Sequence, residues 1–202
     1  MEKPAETEQK INNIIAERWS GRAYDPSVPL SHEQVISLCE AARWAPSCYG
    51  DQPWRFIIWN KHEDEQSWQK ALNCLSPGNQ AWAKNASLLI LAASVKIFSH
   101  NNEDNRWMGY DTGAASISLC LQATSMGLIS HQMGGFDGEK IKQIFSLPEN
   151  IECWAMIAVG HSAALDSLNE QQLTRELKAR ERRPLNEQFF SNSWNTPLHS
   201  GE

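Results

Sequence analysis

The stretch Asp111-Thr112-Gly113-Ala114-Ala115-Ser116-Ile117-Ser118-Leu119-Cys120-Leu121-Gln122-Ala123-Thr124-Ser125-Met126 decides the fold. It is rich in Ala, Ser and Leu and puts apolar residues on nearly every face of a helix. Gly127 follows where a helix C-terminus favours a left-handed residue. A helix that is apolar all round has no face to offer water and is buried. In a chain of 202 residues the natural place to bury it fully is between its own sheet and a second copy of the chain.

The sheet is readable on either side of that helix. Phe56-Ile57-Ile58-Trp59, Leu88-Leu89-Ile90-Leu91-Ala92-Ala93 and Trp154-Ala155-Met156-Ile157-Ala158-Val159-Gly160 are short apolar runs of strand length. Further helices are expected from about Ala5 to Glu17, on the spacing of Ile11, Ile14 and Ile15, and from the capping box Ser31-His32-Glu33-Gln34 up to the stop at Pro46. Asp137 can cap a short helix through Ile144 and Phe145, and Leu165 to Leu177 is expected to form another. Helices alternating with few strands indicate an α+β or mixed layer fold, read as one domain over residues 1–202. The tail from Ser191 has little periodicity. Because Phe189, Phe190 and Trp194 would be costly to expose there, it is expected to pack on a partner subunit.

Composition is ordinary for a globular chain, with 41% hydrophobic and 21% charged residues. A net charge of -6 gives no global attraction to nucleic acid or anionic lipid. The longest apolar run, around Leu88 to Val95, is too short for a bilayer, and the first residues lack the basic-then-apolar pattern of a secretion signal, so a cytoplasmic location is expected. Cys39, Cys48, Cys74, Cys120 and Cys153 show no zinc or redox spacing, nor do His32 and His131, and no metal is expected.

Against that negative background, Arg18 and Arg22 near the start and Arg180, Arg182 and Arg183 near the end stand out. Either group alone reads first as solvated surface. Together with Ser20 they form a donor set suited to a phosphate monoester, because guanidinium groups grip phosphate oxygens as a fork. No Gly-x-Gly-x-x-Gly or Gly-Lys-Ser/Thr loop is present to hold such a phosphate in another way. The segment Ala45-Pro46-Ser47-Cys48-Tyr49-Gly50-Asp51-Gln52-Pro53-Trp54 sets two prolines around small polar residues, which makes an ordered loop with exposed backbone groups.

These motifs, in this order, resemble the FMN-dependent nitroreductase family. The match runs from Arg18 to about Leu185 through Arg18-x-Ser20-x-Arg22-x-Tyr24-Asp25, Glu40-Ala41-Ala42-Arg43-Trp44-Ala45-Pro46-Ser47, Gln52-Pro53-Trp54-Arg55-Phe56, Asn79-Gln80-x-Trp82-Ala83, Asp111-Thr112-Gly113-Ala114-Ala115, Gly134-Gly135-Phe136-Asp137 and Arg182-Arg183-Pro184-Leu185. The resemblance implies a three-layer α-β-α fold with a central, mostly antiparallel sheet, an intertwined homodimer, and FMN sites shared between the two chains. It implies that NADH or NADPH reduces the FMN, which then reduces a small electron-poor acceptor such as a nitroaromatic or quinone in ping-pong order. Similar folds also reduce enones, remove halide or store flavin without turnover, and these remain alternatives.

Residue by residue, the resemblance puts Arg18, Trp19, Ser20 and Arg22 at the phosphate, ribityl chain or pyrimidine edge, with Arg182 or Arg183 completing the phosphate site and the register among Arg180, Arg182 and Arg183 open. Arg22 is the candidate stabiliser of charge on reduced flavin. Pro46, Ser47, Cys48 and Gln52 would reach the flavin from the other subunit. Asn79, Gln132, Met133, Gly134 and Gly135 would lie by the ring, with the glycines allowing close backbone approach. Trp82 or Trp107 would be the aromatic over the ring if either is, packing being the simpler role for each. Cys48 stands where a second Ser is common and Gly50 where Asn is, so a thiol replaces a hydroxyl and one amide is lost. His131 is a candidate proton donor.

Overall fold

The computed structural model describes residues 3–198. Four strands, β1 (Trp54–Asn60), β2 (Leu88–Val95), β3 (Ile129–Met133) and β4 (Ile151–Gly160), form one antiparallel sheet in the order β1-β2-β4-β3. The two central strands are the longest apolar runs because both of their faces are covered. Along β2, Leu88, Ile90 and Ala92 enter one core and Leu89, Leu91 and Ala93 enter the other. Ile90 lies opposite Ile157 of β4, and the register slips by one residue between Ala92 and Ala93.

On one face, α2 (His32–Arg43) and α5 (Met108–Ser125) supply Leu38, Ala42, Ala115, Leu119 and Ala123. On the other, α3 (Glu65–Leu72), α4 (Pro77–Ala83) and α6 (Gly138–Phe145) supply Trp68, Leu72, Trp82 and Ile141. The result is three layers. The capping box at Ser31 forms as expected, with Ser31 and Gln34 each accepting the other's backbone N–H, and Asp137 caps α6 through Lys140 N–H at 2.9 Å. Gly127 follows α5 with φ +70, as a C-terminal glycine should.

Within the single chain, helix α5 is enclosed along one side. Ala115, Leu119, Cys120 and Ala123 are buried, whereas Tyr110, Gly113 and Ile117 along its other side are exposed. Exposed Trp44 and Tyr49 lie at the end of α2 and just beyond it.

Other elements depart from expectation. The first helix, α1, spans only Asn13–Glu17, because the Asn12 side chain takes the Ile14 N–H and starts the helix there. Ala5 instead bonds through its N–H to the Ala16 carbonyl as the chain runs back along α1. Likewise Leu165–Ser167 is a separate 3-10 turn and α7 covers Glu170–Leu177, started by a capping box between Asn169 and Gln172. Helices α3 and α4 and strand β3 were not anticipated. Pro77-Gly78 opens α4, where a proline at the first position is tolerated, and polar Ser130, His131 and Gln132 hide an edge strand. In the tail, the Phe190 ring lies tilted against Trp194 and Phe190 bridges Pro197, while Phe189 and Trp194 stay exposed, and residues 199–202 lie outside the described residues.

Candidate functional site

Between α1 and the sheet, the segment Arg18–Arg22 is fixed from behind by the other end of the chain. The Arg180 guanidinium donates to the carbonyls of Lys3, Ala16 (2.7 Å) and Arg18 (3.1 Å). Glu176 of α7 is 1% exposed, and its Oε1 accepts the Arg22 backbone N–H at 3.0 Å while its Oε2 lies 3.5 Å from Arg22 Nη1. His131 of β3 places Nδ1 3.1 Å from the Gly21 carbonyl. A Cβ on Gly21 would stand 3.2 Å from Ile129 Cδ1 and 3.5 Å from Glu176 Oε1, so the close approach uses the glycine.

Arg18, Arg22 and Arg180 bring three positive charges together here, with the Glu176 carboxylate buried among them. Burial, followed by the charge of Arg22, pushes His131 down to about 4, so its imidazole is neutral at pH 7 and Nδ1–H faces the Gly21 carbonyl. His131 is therefore not an available acid near neutrality. Its ring packs on Trp82 at 4.5 Å, and the Arg22 guanidinium lies over the same indole at 5.9 Å. Trp82 is buried in the core and has no face left for a ligand to stack on, whereas Trp107 is partly exposed with Arg106 over its ring. Arg180 is lowered from its ordinary value by burial first and then by Arg18 and Arg182. Concentrated like charge of this kind favours an anion nearby.

Arg18, Arg180, Arg182 and Arg183 line one cavity of about 760 Å³, whose wall also includes Glu6, Glu8 and Glu181. The three C-terminal arginines differ in what they can offer it. Arg180 is bound to three carbonyls, while Arg182 and Arg183 are exposed, with Arg182 donating to the Glu181 carbonyl at 2.8 Å. Arg18 lies 3.5 Å from Ser20 Oγ.

A second hollow, of about 740 Å³, opens where β3 ends, lined by Ser76, Gly134 and Gly135 among others. The two glycines have different reasons. A Cβ on Gly134 would meet nothing within 4 Å, so the space beside it is open. One on Gly135 would stand 2.8 Å from Ser76 Oγ and 2.9 Å from Asn79 Nδ2. Gly135 thus packs closely on the start of α4, and its carbonyl accepts Ser76 N–H (2.9 Å) and Asn79 Nδ2 (3.1 Å).

The loop after α2 is built differently. Tyr49, Gly50 and Gln52 all have positive φ, at 55, 66 and 49. Buried Asp111, in the first turn of α5, accepts the Cys48 N–H at 3.0 Å, and Ser47 Oγ accepts the Gln52 N–H at 3.0 Å. Asp51 ties the loop to Ser99, accepting its N–H at 2.8 Å and its hydroxyl at 2.6 Å. Pro46, Tyr49 and Gln52 are exposed.

A model of the nitroreductase family matches residues 15–161, which contain the Arg18–Arg22 segment, this loop, α5 and the sheet. The chain belongs to the nitroreductase family. It is 30% identical over 177 residues to Protein DrgA of Synechocystis, covering 73% of this chain and 82% of that one. It is 25% identical over 191 residues to an oxygen-insensitive NADPH nitroreductase of Helicobacter acinonychis, covering 76% and 88%. Among solved structures, an oxidoreductase containing FMN superposes with a TM-score of 0.88 at 32% identity over 95% of this chain and 96% of that one.

Within this nitroreductase-family chain, Arg18, Trp19, Ser20, Arg22 and His131 come together, as do Asn79 and Gly135 beside Gln132–Gly134. Pro46, Ser47, Cys48 and Gln52 form a separate loop tied to α5. Sequence reasoning missed Glu176 and Asp111 as anchors of these two segments. The available signal for Glu176 was its spacing of four from Gln172, both being buried polar residues on one face of α7. Among the described residues, no group of His, Cys, Asp and Glu is placed to hold a metal, and no helix is long and apolar enough to cross a membrane.

Proposed function

We propose that this chain is the protomer of a homodimeric oxidoreductase that binds FMN and passes electrons from NADH or NADPH to a small electron-poor acceptor, such as a nitroaromatic or quinone. The observation that carries this reading is the cavity lined by Arg18, Arg182 and Arg183, with Ser20 and Arg22 on the same segment as Arg18, in a chain of net charge -6. These donors fit a phosphate, and the open space beside Gly134 fits the edge of a flat ring. Support also comes from the NADPH nitroreductase and the FMN-containing oxidoreductase that the chain resembles.

When bound, FMN would supply the redox chemistry, taking electrons from the nicotinamide and releasing them to the acceptor in a separate half-reaction. The chain's residues do the rest. Arg18, Ser20 and Arg182 or Arg183 hold the phosphate. Arg22 presents positive charge to the pyrimidine edge, where neutral His131 and buried Trp82 do not compete with it. Gln132, Met133 and Gly134 border the ring, and Asn79 fixes the backbone at Gly135.

Pro46, Ser47, Cys48 and Gln52 of each chain complete the site of the other. Trp44, Tyr49 and Tyr110, exposed at 77%, 84% and 77%, together with Ile117, make an aromatic surface that a second copy covers. The tail from Ser191 adds to that interface. Free thiols throughout accord with action in the cytoplasm.

A visible spectrum of the purified protein, before and after NAD(P)H, tests this directly. A yellow protein that bleaches with NAD(P)H and turns over a nitroaromatic is expected. Protein that stays colourless after incubation with FMN would refute it, and bleaching without sustained turnover would indicate flavin storage.

A further inference from the structure

Among the described residues, Glu176 is the one buried carboxylate facing the arginine cluster, and its two oxygens are used unequally. Oε1 accepts the backbone N–H of Arg22 at 3.0 Å. Oε2 is fully enclosed, makes no hydrogen bond, and stands 3.5 Å from Arg22 Nη1, close enough for charge attraction but beyond a good hydrogen bond. An enclosed charged oxygen without a donor is costly unless the arrangement is used for something. Here the backbone of Arg22 is pinned while its guanidinium, resting over Trp82, is only loosely paired and keeps donors for another acceptor.

We infer that Glu176 is a positioning residue for Arg22, which pins its backbone and partly offsets its charge, so that Glu176 sets how strongly the site prefers reduced over oxidised FMN. The inference rests on the FMN reading above. The reduced cofactor carries more negative charge at its pyrimidine edge than the oxidised one, so positive charge presented there favours reduction. Glu176→Gln keeps the side-chain shape and an oxygen for the Arg22 N–H but removes the offsetting charge. Arg22 then acts as a fuller cation.

The experiment is a dye-equilibrated reductive titration of the FMN-loaded protein, with FMN affinity measured alongside, for wild type, E176Q, R22Q and R22Q/E176Q. In E176Q the preference for reduced over oxidised FMN should rise about tenfold, a shift of about 30 mV to more positive potential for a two-electron couple. Going from R22Q to R22Q/E176Q should move the potential less than going from wild type to E176Q, because the part of the effect that depends on how Arg22 is held is then gone. An unmoved potential in E176Q overturns the inference, as does a shift between R22Q and R22Q/E176Q as large as that between wild type and E176Q. If E176Q does not fold, Glu176→Asp, which draws the carboxylate back from Arg22, takes its place and should move the potential in the same direction by a smaller amount, and an unmoved potential there overturns the inference. Wild-type protein that fails to bind FMN would instead refute the reading on which the inference rests.

Discussion

The two loops that carry most of the candidate site are held in opposite ways. Arg18–Arg22 is clamped by groups far along the same chain, namely Glu176, Arg180 and His131, and its backbone groups are satisfied from behind. Residues 46–52 are held from the middle of the chain and from within the loop, with Asp111 and Ser47 as acceptors and Asp51 bonded to Ser99, and three left-handed residues leave Tyr49 and Gln52 exposed. A segment that binds within its own chain needs rigid backing, whereas a segment that completes another chain's site must project. In the dimer proposed above, the difference separates the half of the site that each chain would build for itself from the half that it would lend.

Four experiments break or sharpen that comparison. The largest effect is expected at His131. Its folded value of about 4 lies below the ordinary 6.5, so between these values the unfolded chain holds a proton that the folded chain rejects. This contribution is full above pH 6.5 and is lost as pH falls toward 4. It amounts to about 3 kcal/mol at most. Urea midpoints across this range should fall more steeply for wild type than for His131→Gln, and equal slopes would show that the clamped loop does not enclose a neutral imidazole.

Arg18→Ala should weaken FMN binding by about 1.5–3 kcal/mol by removing a charge-assisted contact, with little change in folding stability. An unchanged Kd from flavin fluorescence titration would remove Arg18 from the site. On the other loop, Asp111→Ala should cost about 1–3 kcal/mol of stability, because the Cys48 N–H loses its acceptor, and Asp111→Asn should recover most of it. Equal loss in both variants would mean that the charge of Asp111, not its acceptor oxygen, holds the loop.

The smallest effect is expected at Tyr49. Its φ of 55 is strained for an aromatic residue, so Tyr49→Gly should raise the unfolding free energy by about 0.5–1 kcal/mol, read as a higher urea midpoint. A lower midpoint would mean that edge contacts with Phe98 and His100 outweigh the strain.

Local signals in the chain were read well where one physical cause acts alone. The apolar runs at Leu88–Ala93 and Trp154–Gly160 are strands because both faces are buried, and Ser31 and Asp137 start helices because a side-chain oxygen takes an orphan N–H. Reading failed where two causes compete. The spacing of Ile11, Ile14 and Ile15 suggested a long helix, but the Asn12 cap cut it to Asn13–Glu17, and the polar face of β3 concealed a strand. Motif spacing also placed Arg180, Arg182 and Arg183 together without ranking them. Only the fold showed that Arg180 is bound to carbonyls of the N-terminal segment.

By itself, then, the sequence determined the layer class, the central helix, the family and the residue types available to an anion, because periodicity, caps and motif spacing are properties of neighbours along the chain. Tertiary structure alone decided which arginine is free, how closely Gly135 packs on α4, that His131 is neutral and that Glu176 backs Arg22. Those outcomes depend on burial and on contacts between segments as far apart as Arg22 and Glu176, and no local pattern records either.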